Sequence, residues 1–419
     1  MKNLIRKILS RNANFRFKKC NTFLLDKNKE YGLYVHIPFC KNNCPYCPYF
    51  KTSYEKSNSK KYMESLKREI DLTCKINPGL KISSLYFGGG TPTLLGSDLI
   101  ELIDYFKMKF NILTEIAIET SPTDLDEEKL KALKKAGVDS ISIGMQSFKD
   151  NLLKELGRNY SSGKAVHIAK LLKKLNFNTI NFDMMFALPN QTMGDLEEDI
   201  REIIKLAPSQ VTFYPLFTFP YTPIGEYKKI NRIKMPNFFA RKRMYYLICN
   251  KMKKAGYRQI NVWAFKKDNT NKFSSVTRDF YIGFGPSAGT YTGRDFYFNT
   301  FSLEDYFKIT KKRKPIILRM KVNKRMSKLF WLYWRFYETK VPKGDYKNLF
   351  NSDVKKDFKF LFFMLSFLGF VEEENAAYLQ LNMKGIFYIH LIQNVFALDY
   401  INRIWSVCQK IKSPKEIAL

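Results

Sequence analysis

Three cysteines stand on one short loop, Cys40-Lys-Asn-Asn-Cys44-Pro-Tyr-Cys47. Thiolates at that spacing can converge on one inorganic centre, and cysteine thiolates are the ligands of iron–sulfur clusters. Three of them fill three corners of a cubane and leave one iron open, and an unfilled coordination position is what makes a metal centre reactive. An open iron can chelate a substrate or cofactor through an amine and a carboxylate. The competing reading is a structural zinc site, which wants a fourth Cys or His; the nearest is His36. Cys20, Cys74, Cys249 and Cys408 stand alone and read as small buried hydrophobes. His167 and His390 fall in helical stretches and read as structural histidines rather than ligands.

The elements that must position this loop alternate from Tyr31 to about Pro215, where short apolar or β-branched runs are followed by segments with helical spacing. The expected strands are 33–37, 84–87, 115–119, 140–144, 179–185 and 210–215, and the helices between them 60–74, 98–107, 127–136, 164–175 and 196–206. Asp126 and Asp195 read as N-caps, and Gly137 as a stop after Ala136. Strand–helix alternation predicts an α/β fold with parallel strands and crossover helices. A partial TIM-like (β/α)6 barrel suits six such units; an open doubly wound sheet fits the periodicity nearly as well. Helices at 302–312, 324–337 and 355–368 then precede a strand pair at 370–374 and 379–382 and a helix at 384–405, which reads as a winged-helix-like domain. The expected division is a basic N-terminal extension over 1–30, a core domain over 31–300 and a C-terminal helical, winged-helix-like domain over 301–419.

The chain has 419 residues, 45% hydrophobic and 26% charged, which is the composition of a globular protein. Its longest apolar run, 361–371, has 11 residues, short of the roughly 18 that a membrane span needs. The first residues are basic and lack an apolar signal core, so a cytoplasmic location is expected. The net charge of +32 rests on 54 lysines against 17 arginines spread along the chain. Surfaces that read phosphates and bases favour arginine forks. A solvated, compositionally biased surface is therefore preferred over an anionic partner, whether nucleic acid or anionic lipid.

The motif Cys-x-x-x-Cys-x-x-Cys after a first strand resembles the radical S-adenosylmethionine (SAM) enzymes. The segment Tyr34-Val-His-Ile-Pro-Phe-Cys40 is similar, more narrowly, to the oxygen-independent coproporphyrinogen III oxidase branch with its haem-chaperone and haem-degrading relatives. Gly88-Gly-Gly-Thr-Pro-Thr93, Ile118-Glu-Thr-Ser-Pro122, Ser142-Ile-Gly-Met-Gln-Ser-Phe148 and Asn181-Phe-Asp-Met-Met-Phe-Ala-Leu-Pro-Asn-Gln-Thr192 agree in order, over about 31–293. The resemblance implies a radical SAM barrel with a [4Fe-4S] cluster on Cys40, Cys44 and Cys47 and SAM at its open iron. It places Gly89, Gly90 and Thr91 against the methionine part, where glycine lets the main chain come close. It makes Glu119, Gln146, Arg158 and Asp183 cofactor contacts. Polar groups at strand ends can meet an amine, ribose hydroxyls and an adenine edge, and a guanidinium can grip a carboxylate with two prongs. Each has a plainer alternative that carries less weight: Glu119 and Asp183 as caps or surface ion pairs, Gln146 as a buried amide and Arg158 as a solvated charge. The positions of Tyr34 and Tyr46 also touch cofactor in the family, although these rings and Phe39 would serve as well in a core. Phe217 and Gly289 match positions lining a second SAM pocket in the oxidase.

The chain also departs from that family. Tyr49 stands where the oxidase has a fourth cysteine, and Pro48-Tyr49 where the chaperones have Asp-Phe. The stretch 271–281 contains no histidine, whereas the chaperones carry a His-Asn…Tyr-Trp segment there. The segment 214–222 is closer to the chaperone and haem-degrading branches. The expected function is that of a radical SAM oxidoreductase, coproporphyrinogen III oxidase-like, acting on a tetrapyrrole-like substrate with electrons from a donor such as flavodoxin or ferredoxin. The alternatives are a haem chaperone and a radical SAM methyltransferase or haem-degrading enzyme, with nucleic-acid binding last.

Overall fold

Alternating side chains decide which face of each strand meets the helices. The computed structural model describes residues 15–112, 115–229, 233, 235–267, 272–274 and 279–419. Six strands, β1 (Glu30–Ile37), β2 (Lys81–Gly89), β3 (Ile116–Thr120), β4 (Ser140–Gln146), β5 (Thr179–Phe186) and β6 (Gln210–Pro215), are linked by α1 (Lys56–Ile76), α2 (Ser97–Phe110), α3 (Glu127–Lys135), α4 (Ser162–Leu175) and α5 (Met193–Leu206). The strands are parallel and lie in the order β6-β5-β4-β3-β2-β1. A doubly wound sheet reverses direction at a switch point. This sheet does not, so the alternative left open by periodicity falls away and a partial barrel remains.

Leu33, Val35 and Ile37 of β1, Leu85 and Phe87 of β2, Ile141 and Ile143 of β4, and Phe182 and Met184 of β5 join one core with Leu66, Leu102, Phe106, Leu172 and Ile203 of the helices. The residues between them point the other way. Tyr34, His36, Tyr86, Gly88, Glu119, Ser142, Gly144, Asn181, Asp183, Thr212 and Tyr214 occupy those alternate positions. The interior of this barrel is thus lined by polar side chains and glycine, unlike the branched apolar filling of a closed (β/α)8 barrel.

Each expected strand and helix of this region is present, with ends shifted by up to four residues. Asp126 caps α3, accepting from Lys129 N at 2.8 Å, and Gly137 follows that helix with φ +84°. Asp195 does not cap α5. The cap is Thr192, whose hydroxyl accepts from Asp195 N at 3.1 Å while the Asp195 carboxylate accepts from Thr192 N at 2.9 Å. This reciprocal pair satisfies two helix-end donors at once and starts the helix nearly a turn earlier.

Past β6 come α6 (Phe238–Lys254) and a run of short strands that the sequence reading missed. Tyr281–Phe284 lies parallel to β1, and Gly289–Tyr291, Asp295–Asn299, Ile316–Lys321, Arg16–Lys19 and Glu416–Ala418 follow in antiparallel order. Both the N-terminal segment and residues beyond 301 therefore pair into the main sheet, and Phe17 is fully buried there. The C-terminal part contains a helix at Lys324–Tyr337 and a three-stranded antiparallel sheet of Lys340–Pro342, Tyr378–Leu381 and Val371–Glu374. Lys343–Phe350, Val354–Asp357 and Lys359–Phe367 lie between the first two strands of the chain order, which is the succession of a winged helix. The helix expected over 355–368 is two, broken at Phe358 (φ −125°, ψ 35°), and the one expected over 302–312 ends at Ile309. The final helix, Met383–Lys410, has 28 residues. Among the described residues no helix is long and apolar enough to cross a membrane.

Candidate active site

Past β1 the chain turns at Pro38, and Phe39–Cys40 pairs with Thr52–Ser53, closing the cysteine loop on itself. Thr52 N donates to Pro38 O at 2.8 Å and Tyr54 N to Cys40 O at 3.0 Å. The glycine turn after β2 lies against this loop. Gly90 N donates to Ile37 O and Thr91 N to Phe39 O, both at 2.7 Å. A Cβ at Gly90 would stand 2.4 Å from Phe39 O and 3.0 Å from Cys40 Sγ, so only glycine permits this approach.

All three loop thiols are free and half-buried. Burial, and then Cys47 and Cys44, push the Cys40 thiol up to about 12. Three thiolates so placed repel one another unless a cationic centre compensates them. Among the described residues no three His, Cys, Asp or Glu side chains gather tightly enough to hold one metal ion. Three cysteine thiols on one loop are the donor set of an iron–sulfur cubane, in which each cysteine binds its own iron. His36 is excluded as a fourth zinc ligand. Its Nε2 lies 2.8 Å from Phe50 O, and a carbonyl only accepts, so Nε2 carries the proton and Nδ1 accepts from the Tyr34 hydroxyl at 2.9 Å. The ring is 3% exposed, and burial lowers its pKa to about 4, so it stays neutral. The residues therefore fit an iron–sulfur cluster bound through three cysteines.

The polar interior opens beneath the loop. Glu119 accepts from the Tyr86 hydroxyl and from Gly89 N at 3.3 Å, and burial raises its pKa despite both bonds. Asp183 accepts from the Ser142 hydroxyl at 2.7 Å and from Asn181 Nδ2 at 3.0 Å. Burial, with Glu119 nearby, lifts its pKa to about 7. Thr212 closes the ladder by donating to Asn181 Oδ1 at 2.9 Å. Arg158 Nε donates to the Tyr46 hydroxyl at 3.0 Å, with the guanidinium beside Gly144 on β4. Gln146 ends β4 at a bulge with φ +65°, a backbone state that costs a non-glycine residue energy and marks functional sites. The opposite end of the interior is plugged by Phe273, which packs on Tyr86, Ala117 and Tyr34 and exchanges two 3.0 Å hydrogen bonds with the Gln210 amide.

Cys40, Cys44, Cys47, Tyr34, Tyr46, Gly89, Gly90, Thr91, Glu119, Gln146, Arg158 and Asp183 are thus gathered around one end of the barrel. Asp183 sits inside β5, which runs three residues beyond it to Phe186. Phe217, two residues past the end of β6, packs with Phe219 at 6.4 Å, and a Cβ at Gly289 would stand 3.3 Å from the Phe296 ring and 3.4 Å from that of Phe298. Of the lone cysteines, Cys249 and Cys408 are buried, while Cys20 and Cys74 are only half-buried. His390 is buried edge-on against Trp263 at 4.5 Å, and His167 is exposed on α4. Of the histidine-free stretch, residues 271 and 275–278 lie outside the described residues.

Several site residues escaped the sequence reading. Ser142, Asn181 and Thr212 were legible as alternate positions on strands already identified. Tyr214 of β6 was legible in the same way, whereas Tyr337 was not, because its place depends on where the Lys324–Tyr337 helix packs. Tyr49 keeps 53% of its surface accessible, and burial raises its pKa, with Glu119, Cys47 and Asp183 acting on it. Burial raises Tyr214 and Tyr337 as well, and Asp183 and Tyr49 act on both.

The radical SAM superfamily model matches residues 34–203. The heme chaperone HemW of Bacillus subtilis is 31% identical over 267 residues, covering 62% of this chain and 70% of that protein. The oxygen-independent coproporphyrinogen III oxidase of Bradyrhizobium diazoefficiens is 29% identical over 281 residues, 61% of each. The structure of coproporphyrinogen III oxidase (HemN) from Escherichia coli superposes with a TM-score of 0.73 at 19% identity, covering 86% of this chain and 88% of that one. The chain belongs to the radical SAM superfamily, whose cofactors are a [4Fe-4S] cluster and SAM. Within it, the chain falls in the group that contains the HemW chaperones and the oxygen-independent coproporphyrinogen III oxidases.

Proposed function

We propose that this chain is a radical SAM enzyme that cleaves SAM reductively and acts on a tetrapyrrole-like substrate. The observation that carries the reading is the seat of Cys40 against Gly90, at the mouth of a barrel interior lined by carboxylates, amides and tyrosines. When bound, the reduced cluster supplies the electron that splits SAM into methionine and a 5′-deoxyadenosyl radical able to take a hydrogen atom from a substrate. Cys40, Cys44 and Cys47 would hold the cluster. Gly89, Gly90 and Thr91 would offer main-chain groups to the methionine part, Arg158 a charge to its carboxylate, and Glu119, Gln146 and Asp183 acceptors and an amide to the amine, ribose and base. Tyr34 and Tyr46 would shield the reacting end from water. Phe217 and Gly289 would line a second SAM site. Flavodoxin or ferredoxin would serve as donor, in the cytoplasm.

The second reading is a haem-trafficking protein, favoured by the names of the HemW relatives and by Tyr49 in place of a fourth cysteine. Against it stand three histidines, none offering a free nitrogen to the barrel interior: His36 has both nitrogens engaged, His167 is exposed on α4 and His390 is buried against Trp263. Anaerobic reconstitution with dithionite separates the readings. The enzyme reading expects 5′-deoxyadenosine and methionine, with decarboxylated product from coproporphyrinogen. Stoichiometric haem uptake with a Soret shift and no turnover would replace it with the chaperone reading, and S-adenosylhomocysteine would point to methyl transfer.

A further inference from the structure

The carbonyl that engages His36 belongs to Phe50, the residue before Lys51. The Lys51 main chain is pinned on both sides. His36 Nε2 donates to Phe50 O at 2.8 Å, and Thr52 N donates to Pro38 O at 2.8 Å. The His36 ring has little room to give way. The Tyr34 hydroxyl holds its other nitrogen at 2.9 Å, and a Cβ at Gly89 would stand 2.8 Å from Nδ1. From this seat the half-buried Lys51 side chain folds back over the cysteine loop, and its Nζ donates to Cys47 O at 2.9 Å. A partly buried charge is screened by salt much less than an exposed one.

Two lysines belong to this region, and the fold treats them differently. Lys41 is neutralised by Asp124, Nζ to Oδ1 at 2.8 Å. Among the described residues no carboxylate pairs with Lys51, whose hydrogen bond goes to a main-chain carbonyl instead. Burial raises the Cys47 thiol, and Lys51 is the strongest influence against that rise. Burial and then the two fellow thiols raise Cys40, and Lys51 is again the first group to oppose them. Arg158 also acts on Cys47, more weakly, and its charge has a use at the SAM carboxylate. Taking up one electron adds one negative charge to a centre already ringed by three thiolates. Net charge is one of the quantities that set the potential of an iron–sulfur cluster. An unpaired cation held over the thiolates favours the reduced state.

We propose that Lys51 is the fixed positive charge that raises the reduction potential of the cluster. This rests on the proposed function, because the charge acts on a centre that Cys40, Cys44 and Cys47 would hold. The step concerned is uptake of one electron from a low-potential one-electron donor, with no bond formed or broken. The test is a redox titration with dithionite, followed by electron paramagnetic resonance, of the anaerobically reconstituted full chain without SAM. Iron and sulfide are measured in every sample. Glu119, Asp183 and Arg158 are common to all variants, so only the charge at position 51 changes. Lys51→Met is expected to lower the reduced-to-oxidised ratio at a fixed potential about tenfold, a midpoint about 59 mV lower for one electron. Lys51→Glu should shift further the same way, and Lys51→Arg should stay close to wild type, all with wild-type iron and sulfide. That order separates charge from hydrogen bonding, since neither Met nor Glu can donate to Cys47 O. Equal midpoints in wild type and Lys51→Met, or equal shifts in Lys51→Met and Lys51→Glu, would overturn the proposal. So would loss of iron and sulfide from both of those variants, which would make the lysine a prop for the loop. A wild-type chain that takes up no cluster would instead overturn the proposed function, and this inference with it.

Discussion

Gly90 shows how little latitude the cofactor end of the barrel allows. A methyl group there would strike Phe39 O at 2.4 Å and crowd Cys40 Sγ. Both belong to the cysteine loop, so the loop itself must move. Gly90→Ala is expected to fold but to lose most of its iron and sulfide after anaerobic reconstitution; metal and sulfide analysis with circular dichroism checks both halves. Asp183 carries a pH signature. Its pKa is raised by burial from an ordinary 3.8 to about 7, so the protonated form suits the fold. The stability tied to it is complete below about pH 4 and is lost as pH rises through 7. Asp183→Asn keeps the shape and removes the charge. It should raise the melting midpoint of the cofactor-free protein by about 2 °C or more at pH 8, and by less at pH 5; an equal gain at both pH values would contradict the assignment.

Among the secondary-structure elements, the turn after β4 is held from outside the barrel. Asp199 of α5, 1% exposed, accepts from the Ser147 hydroxyl at 2.8 Å and from Phe148 N at 2.6 Å. This clamp fixes the turn in which Gln146 takes its left-handed backbone. Asp199→Ala is expected to weaken SAM binding to the cluster-loaded protein about tenfold, while Asp199→Asn, which keeps one acceptor, loses far less. In a Gln146→Ala background the further loss should vanish, because the clamp acts through Gln146. An undiminished loss there would mean a merely structural role. The α5 start illustrates what local sequence can hide: Asp195 has the right chemistry for a cap, yet Thr192 three residues earlier offers a reciprocal pair.

Across the entire chain, one buried carboxylate joins the barrel to the antiparallel strands. Glu69 of α1 accepts from Gly285 N, Asn299 Nδ2, the Tyr306 hydroxyl and Lys314 Nζ at 2.9, 2.9, 2.7 and 3.1 Å. Lys314 is 2% exposed, and burial lowers its pKa although Glu69 opposes the shift. Removing one partner leaves the other charge buried and unpaired. Glu69→Ala should therefore cost about 3–5 kcal/mol, read as a lower urea midpoint. The double variant Glu69→Gln/Lys314→Met should lose markedly less; a larger loss in the double variant would show that the pair itself, and not the orphaned charge, sets the stability.

Residue order along the chain was enough to specify the barrel units, the cysteine loop and the polar residues near the strand ends. These are local quantities: a period of two or 3.6 residues, a cap, a cluster of thiols within eight positions. It could not choose between a singly and a doubly wound sheet, because strand order is set by pairing between segments far apart in the chain. The same holds for His36, whose role turned on a carbonyl fourteen residues away, and for Tyr337, brought toward Asp183 by a distant helix. The strands from Tyr281 to Lys321 were hidden for a related reason: they are short and are held by their neighbours in the sheet and by a shared aromatic core of Phe17, Tyr291, Phe296 and Phe298. Only packing in three dimensions brings those rings together.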